Sequence, residues 1–246
     1  IPNPIEQELK KYYEVELGSE EKPLSKEELK IRIRNKDAII SLLSDPLDKE
    51  VLSEANNLKI ISQFAVGYDN IDISYAKEKG ILITNTPGVL TETTADTAWA
   101  LLMAVARKIV ESDTFIRTGK WKYGWGSKLM LGRDINGKKI GIIGLGRIGL
   151  AVAKRAKCFN MKIYYYNKQR KESIEKEFGI EYLELNKLLK ECDFISLHTP
   201  LTDKTYHMIG EKEFKLMKKT SFIINTSRGK VIDEKALIRA LKEGWI

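Results

Sequence analysis

The sequence predicts an α/β protein built on parallel sheets, with a doubly wound sheet holding the larger share of the chain. Three observations carry this. Short apolar runs alternate with helix-period segments along most of the 246 residues, which is the trace that successive βαβ units leave in a sequence. The apolar run from Lys139 leads directly into Gly144-Leu145-Gly146-Arg147-Ile148-Gly149, and a helical pattern follows from Leu150 to Lys157. Finally, Asn85-Thr86-Pro87-Gly88 interrupts the alternation with residues that favour turns, which divides the chain into a domain over 1–88 and another over 89–246.

In chain order, Tyr12 to Leu17 reads as a strand or its remnant. Ser25 caps a helix, and Glu28 three residues later completes a capping box. Asp37 to Leu43 reads as a buried strand, Asp45-Pro46 as the start of the next helix, and Leu58 to Phe64 as a second strand. A helix over Ile73 to Lys79 stops at Gly80, and Ile81 to Thr84 is a further strand. After the boundary, one long helix is expected from Thr91 to Thr118, with Leu101, Leu102, Val105 and Ile109 at helical spacing. Gly119 to Asn136 is irregular and holds Trp121, Tyr123 and Trp125. Large aromatics in a loop are costly in water, so they are expected to bury against a second subunit or, alternatively, against another domain. The alternation restarts with strands at Lys139–Gly144, Met161–Tyr166, Ile180–Leu183, Asp193–His198 and Ser221–Asn225, and a last helix opens at Asp233 and fades at Gly244. A doubly wound dinucleotide fold usually has six strands; the sequence stops where a sixth is due, so a C-terminal part is expected to be missing, and the opening Ile1 suggests a trimmed start.

Composition excludes several classes. Hydrophobic residues at 43% and charged residues at 31% describe an ordinary soluble globular protein. No apolar run reaches membrane-spanning length. The net charge is +8, but Lys and Glu interleave, as in Ser25-Lys26-Glu27-Glu28-Leu29-Lys30, which reads as solvated helix faces and not as a nucleic-acid stripe. The surplus is better suited to steering anionic ligands. Cys158 and Cys192 form no metal or redox pair and are expected to be reduced, mostly buried thiols of a cytoplasmic protein. No metal site is expected.

The glycine run has a physical logic. Gly144 permits a tight turn out of the strand, Gly146 lets backbone approach a pyrophosphate, and Gly149 lets the helix pack close to the sheet; the helix N-terminus adds free N–H groups and partial positive charge. With a strand before it and a helix after it, the run predicts dinucleotide binding in a Rossmann-type sheet. An acid about 20 residues onward normally bonds the ribose of NAD. Here Tyr166 is followed by Asn167-Lys168-Gln169-Arg170. With no carboxylate and with two cations, the turn favours a 2′-phosphate, so NADP(H) is preferred; the alternative is that these are surface charges and NAD(H) also binds. Arg228, in Asn225-Thr226-Ser227-Arg228-Gly229, stands past a strand's carboxyl end and could hold a carboxylate and polarise a carbonyl, or else pair with a local acid. His198 ends a strand and could act as a general acid, but a structural role is the preferred reading, because Thr199-Pro200 reads as a cofactor contact. Asp233-Glu234 is explained by helix capping.

Several segments resemble one family, the D-isomer-specific 2-hydroxyacid dehydrogenases, and within it the glyoxylate/hydroxypyruvate reductase branch. They are Ala65-Val66-Gly67-Tyr68-Asp69-Asn70-Ile71-Asp72, Thr84-Asn85-Thr86-Pro87-Gly88, Thr93-Thr94-Ala95-Asp96, Gly141 to Gly149, Ser196-Leu197-His198-Thr199-Pro200-Leu201-Thr202 and Asn225 to Gly229. The resemblance implies a smaller, flavodoxin-like substrate domain beside the dinucleotide-binding domain. It implies that backbone N–H groups of Val66 and Gly67 bind the substrate carboxylate, and that Arg228 binds and polarises the 2-keto acid. It places Leu145, Gly146, Arg147 and Ile148, with Asn167, Lys168 and Gln169, on the cofactor phosphates and ribose, and Thr94, Thr199, Thr226, Ser227 and Arg228 on the nicotinamide side. It implies a homodimer built on the long helix and the Trp121/Trp125 arm. The family's catalytic histidine and its orienting glutamate fall beyond Ile246, so this sequence alone is expected to be inactive. The implied reaction reduces glyoxylate or hydroxypyruvate; the alternatives are a phosphoglycerate or formate dehydrogenase of the same family, or a dinucleotide-sensing corepressor.

Overall fold

A computed structural model describes residues 3–18 and 22–246. The chain divides into two compact units, Ile1–Thr86 and Pro87–Ile246.

In the first unit, strands β1 (Ala38–Ser41), β2 (Ile60–Gln63) and β3 (Leu82–Thr84) form a parallel sheet in the order β1-β2-β3. Leu47, Val51, Leu52, Ile61 and Ala76 are fully buried in its core. The helix Lys26–Arg32 starts as its sequence dictates: Ser25 Oγ accepts from the Glu28 amide, and the Glu28 carboxylate accepts from the Ser25 amide. Three expectations are corrected. Tyr12 to Leu17 forms no strand; it follows the helix Asn3–Lys10 as a turn and an extended segment, with both tyrosines exposed. β1 is not buried throughout, since only Ser41 is closed off from water and Ile40 is exposed. The next helix begins at Lys49, not at Asp45-Pro46. The Asp45 carboxylate instead closes a turn on the Leu42 amide, Leu47 bridges to Ile71, and Asp48 supplies the N-cap by accepting from Val51.

In the second unit, β4 (Lys139–Ile143), β5 (Lys162–Tyr166), β6 (Glu181–Tyr182), β7 (Phe194–Leu197) and β8 (Phe222–Asn225) are all parallel, in the order β6-β5-β4-β7-β8. Winding reverses between β4 and β7, which is the topological switch point where doubly wound sheets take ligands at their carboxyl ends. The sheet is covered on both faces, so its central strands β4 and β7 are buried without alternation. The helices Thr91–Arg107 and Arg147–Cys158 pack with Ile140 and Ile142, while Leu188, Phe214 and Ala236 pack with Ile143, Ile195 and Leu197.

The expected single helix from Thr91 to Thr118 is two, Thr91–Arg107 and Ile109–Arg117, broken at Lys108 in the left-handed region (φ 54°, ψ 42°). The cause is tertiary. Gly132 passes so close that a Cβ there would lie 2.7 Å from the Ala106 carbonyl oxygen, and the Arg133 amide takes that oxygen as its acceptor at 2.7 Å. The helix therefore loses the carbonyl that would have continued it. Cys192 is buried as expected, and burial pushes its thiol up to about 12. Cys158, by contrast, is exposed. Trp121, Tyr123 and Trp125 stay 54%, 95% and 87% exposed among the described residues. Among the described residues, no helix is long and apolar enough to cross a membrane.

Candidate active site

The glycine loop leaves β4 at the switch point. Gly144 has φ +97°, and a Cβ on it would lie 2.7 Å from the His198 carbonyl oxygen and 2.9 Å from the Thr199 nitrogen. The loop after β4 is thus locked against the loop after β7, which sets Leu145 to Ile148 beside Thr199 and Pro200. Gly149 permits the other close approach: a Cβ there would fall 2.2 Å from the Gly144 carbonyl oxygen. At Gly146 nothing lies within 4 Å of the Cβ position, and Gly146 N-caps the helix Arg147–Cys158 without any side-chain acceptor. The helix N-terminus, with its first-turn N–H groups and partial positive charge, thus begins beside the open space at Gly146.

Thr199 and Thr226 follow β7 and β8. The hydroxyl of each is buried and, among the described residues, lacks a hydrogen-bond partner. Leaving a buried hydroxyl unpaired costs on the order of 1–3 kcal/mol, so two at one sheet edge call for an external partner. Asn225 shapes the neighbouring turn: its Oδ1 accepts from the Ser227 amide and hydroxyl at 3.0 and 2.8 Å, and its Nδ2 donates to the Arg228 carbonyl at 2.9 Å. This fixes the backbone that carries Arg228, whose guanidinium donates to the Ser227 carbonyl at 2.9 Å. Burial pushes the His198 ring down to about 4, and its Nε2 sits 2.8 Å from Ser196 Oγ.

The turn after β5 contains Asn167, whose Nδ2 donates to the Gln169 carbonyl at 3.0 Å, and exposed Lys168 and Gln169. Arg170 departs from expectation. Its guanidinium grips Glu175 through two bonds of 2.8 Å and lies over the Tyr182 ring. This bidentate pair draws Arg170 toward the helix that follows the turn. Lys171 stands closer to the loop, donating from Nζ to the Leu145 carbonyl at 2.7 Å; its adjacency to Arg170 was the signal in the sequence. Thr94 lies in the first turn of the helix Thr91–Arg107, which Arg155 ties to the glycine-loop helix through Glu92 and Asp96. Val66 and Gly67 belong to the first unit, in the turn that leaves the carboxyl end of β2.

Comparisons with known proteins agree with this geometry. Residues 99–246 match the family model described as the D-isomer specific 2-hydroxyacid dehydrogenase, NAD binding domain. A glyoxylate reductase of Korarchaeum cryptofilum is 55% identical over 246 residues, which is all of this chain and 74% of that protein. The chain belongs to the D-isomer-specific 2-hydroxyacid dehydrogenases. Two solved structures show how far the dehydrogenase fold extends over it. A D-lactate dehydrogenase from Aquifex aeolicus, complexed with NAD and lactic acid, superimposes with a TM-score of 0.87 at 34% identity, over 99% of this chain and 71% of that one. An acyclic imino acid reductase in complex with NADPH and D-Arg gives 0.87 at 32% identity, over 100% and 77%. This 2-hydroxyacid dehydrogenase therefore takes a nicotinamide dinucleotide, and its residues fit one. The open helix N-terminus at Gly146 suits the pyrophosphate, and the orphaned hydroxyls of Thr199 and Thr226 suit the polar groups of the nicotinamide end.

Proposed function

We propose that this protein reduces glyoxylate, with hydroxypyruvate as the second candidate, and that it uses NADPH in preference to NADH. The observation that carries the reading is Arg228, fixed by Asn225 at the carboxyl edge of β8 beside the orphaned Thr226 hydroxyl, in a chain 55% identical to a glyoxylate reductase.

Each residue has a task. The first-turn N–H groups of Arg147, Ile148 and Gly149 neutralise the pyrophosphate. Asn167, Lys168 and Gln169 hold the adenosine ribose; with no carboxylate in that turn, a 2′-phosphate meets Lys168 without repulsion. Thr199 and Thr226 orient the nicotinamide carboxamide, with Thr94, Pro200 and Ser227 shaping that side. When bound, the reduced nicotinamide supplies the hydride. Val66 and Gly67 bind the substrate carboxylate through their N–H groups. Arg228 draws electron density onto the keto oxygen and stabilises the alkoxide as it forms. His198 does not supply the proton, because burial keeps its ring neutral and Ser196 holds it.

A second copy of this chain covers Trp121 and Trp125, together with exposed Leu101, Val105, Ile109 and Val110 on the adjoining helices. On this reading the protein is a homodimer, and its free thiols Cys158 and Cys192 suit the reducing cytoplasm.

The test is NADPH oxidation by the full-length enzyme with glyoxylate and with hydroxypyruvate, in the wild type and in Arg228→Ala. Glyoxylate should be turned over, and the variant should lose at least a hundredfold in kcat/KM. Turnover that survives in the variant overturns the role given to Arg228.

A further inference from the structure

We infer that Gln63 and Asn85 are positioning residues that lock the peptide planes of the 65–68 turn, so that its N–H groups form a rigid carboxylate seat. The inference rests on the proposed role of Val66 and Gly67.

Three consecutive carbonyls of this turn are held by three different donors. Ala65 O accepts from the Thr86 amide at 3.0 Å. Val66 O accepts from Asn85 Nδ2 at 2.8 Å. Gly67 O accepts from Gln63 Nε2 at 3.1 Å. In a planar trans peptide, each carbonyl points opposite to the N–H of the next residue. Pinning these oxygens therefore aims the N–H groups of Val66, Gly67 and Tyr68 away from their anchors. Among the described residues, no hydrogen bond uses the N–H of any of the three. Successive N–H groups held in this way make an anion-binding concavity.

Gln63 is itself over-determined. It is 1% exposed, its Oε1 accepts from Ser41 Oγ at 2.6 Å, and its Nε2 also donates to Asn70 Oδ1 at 2.9 Å. Asn70 in turn donates to the Leu42 and Asp45 carbonyls at 3.0 and 2.8 Å. A flipped Gln63 amide would set its oxygen against both the Gly67 carbonyl and Asn70 Oδ1, so only one orientation satisfies the network. The chemistry of the anchors suits an anionic ligand. A carboxylate at position 63 or 85 would repel both the carbonyl and the substrate. A lysine at position 63 would put a charge into a closed, neutral site. Neutral amides hold the planes and leave the seat's potential to the N–H dipoles. The result is a site whose ordering cost is met during folding and not on binding.

The test uses full-length enzyme labelled with [15N]valine and saturated with NADPH, titrated with oxalate as the carboxylate probe. The Val66 amide resonance of the wild type should shift on binding. Asn85→Leu and Gln63→Met keep the side-chain size but remove the donor; oxalate affinity and glyoxylate KM should each worsen about tenfold per lost bond, with NADPH affinity and kcat held within about twofold. A general loss of structure would move NADPH affinity as well. If the Val66 amide shifts and both variants bind oxalate as the wild type does, the positioning role is overturned. If the wild-type Val66 amide does not move while oxalate binds, the carboxylate seat itself is wrong. Asn85 lies past the end of β3, so its variant decides the matter even if the buried Gln63 variant does not fold.

Discussion

The Lys171 ammonium and the Leu145 carbonyl oxygen are 2.7 Å apart, so the turn after β5 is tied to the glycine loop after β4. The adenosine end of a dinucleotide lies between the loops that follow two such adjacent strands. Lys171→Met keeps the length of the chain and removes the tie. Equilibrium fluorescence titration should show NADPH and NADH weakened alike, by about threefold to tenfold. Weakening of NADPH alone would mean that the ammonium serves the 2′-phosphate and not the loop.

Cofactor choice should depend on Asn167 and Lys168 and only slightly on Arg170. Asn167→Asp places a carboxylate where a 2′-phosphate would lie, and the ratio of kcat/KM for NADPH over NADH should fall at least tenfold. Arg170→Ala should leave that ratio within about twofold, because Glu175 already takes the guanidinium. The effect of that variant should instead be a lowered melting temperature. A large drop in the ratio for Arg170→Ala would return Arg170 to the phosphate.

Gly149→Ala should damage both fold and binding. The added Cβ would stand 2.2 Å from a backbone oxygen, that of Gly144, so the helix and the loop must separate. Overpacking of this kind costs about 1–3 kcal/mol, readable as a lower midpoint in urea. Gly146→Ala has open space at its Cβ and should keep the midpoint while losing cofactor affinity.

Acid should unfold the second unit through two separable groups. Burial holds the His198 ring at about 4, below its ordinary 6.5. Its depressed value means that the unfolded chain takes up the proton first, and stability is lost as pH falls from about 6.5 toward 4. Arg170, then Tyr165, lower Glu175 to about 2 from 4.5, so its contribution is present above 4.5 and lost between there and about 2. Denaturant midpoints measured against pH should lose the upper step in His198→Asn and the lower step in Glu175→Gln. Identical profiles for the wild type and both variants would contradict both assignments.

Much of the second unit could be read from residues, because local chemistry and fold agree there. The glycines demand positive φ or close approach: Gly144 has both, and Gly149 has the close approach. Elsewhere the decisive contacts are distant in sequence. Nothing near Lys108 breaks a helix; the break comes from Gly132 and Arg133. Arg170 looks like a free cation until Glu175, five residues on, folds back under it. Gln63 reads as an ordinary polar residue at the end of a strand, and only the arrival of Gly67 and Asn70 gives it a task. Composition could show that Trp121 and Trp125 need cover, but not that the described residues leave them exposed.

The anchors of the 65–68 turn have one more consequence. Thr86 and Asn85 both follow β3, which is three residues long and stands at the edge of its sheet. Edge strands open by fraying at a fraction of the free energy of global unfolding. One such event would release the Ala65 and Val66 carbonyls together, and two of the three aligned dipoles would lose their aim while the rest of the sheet stayed intact. Ligand affinity is therefore coupled to the local opening of a single short strand. Substitutions that loosen Leu82 or Ile83 would weaken binding from a distance, and bound ligand would slow amide hydrogen exchange along β3.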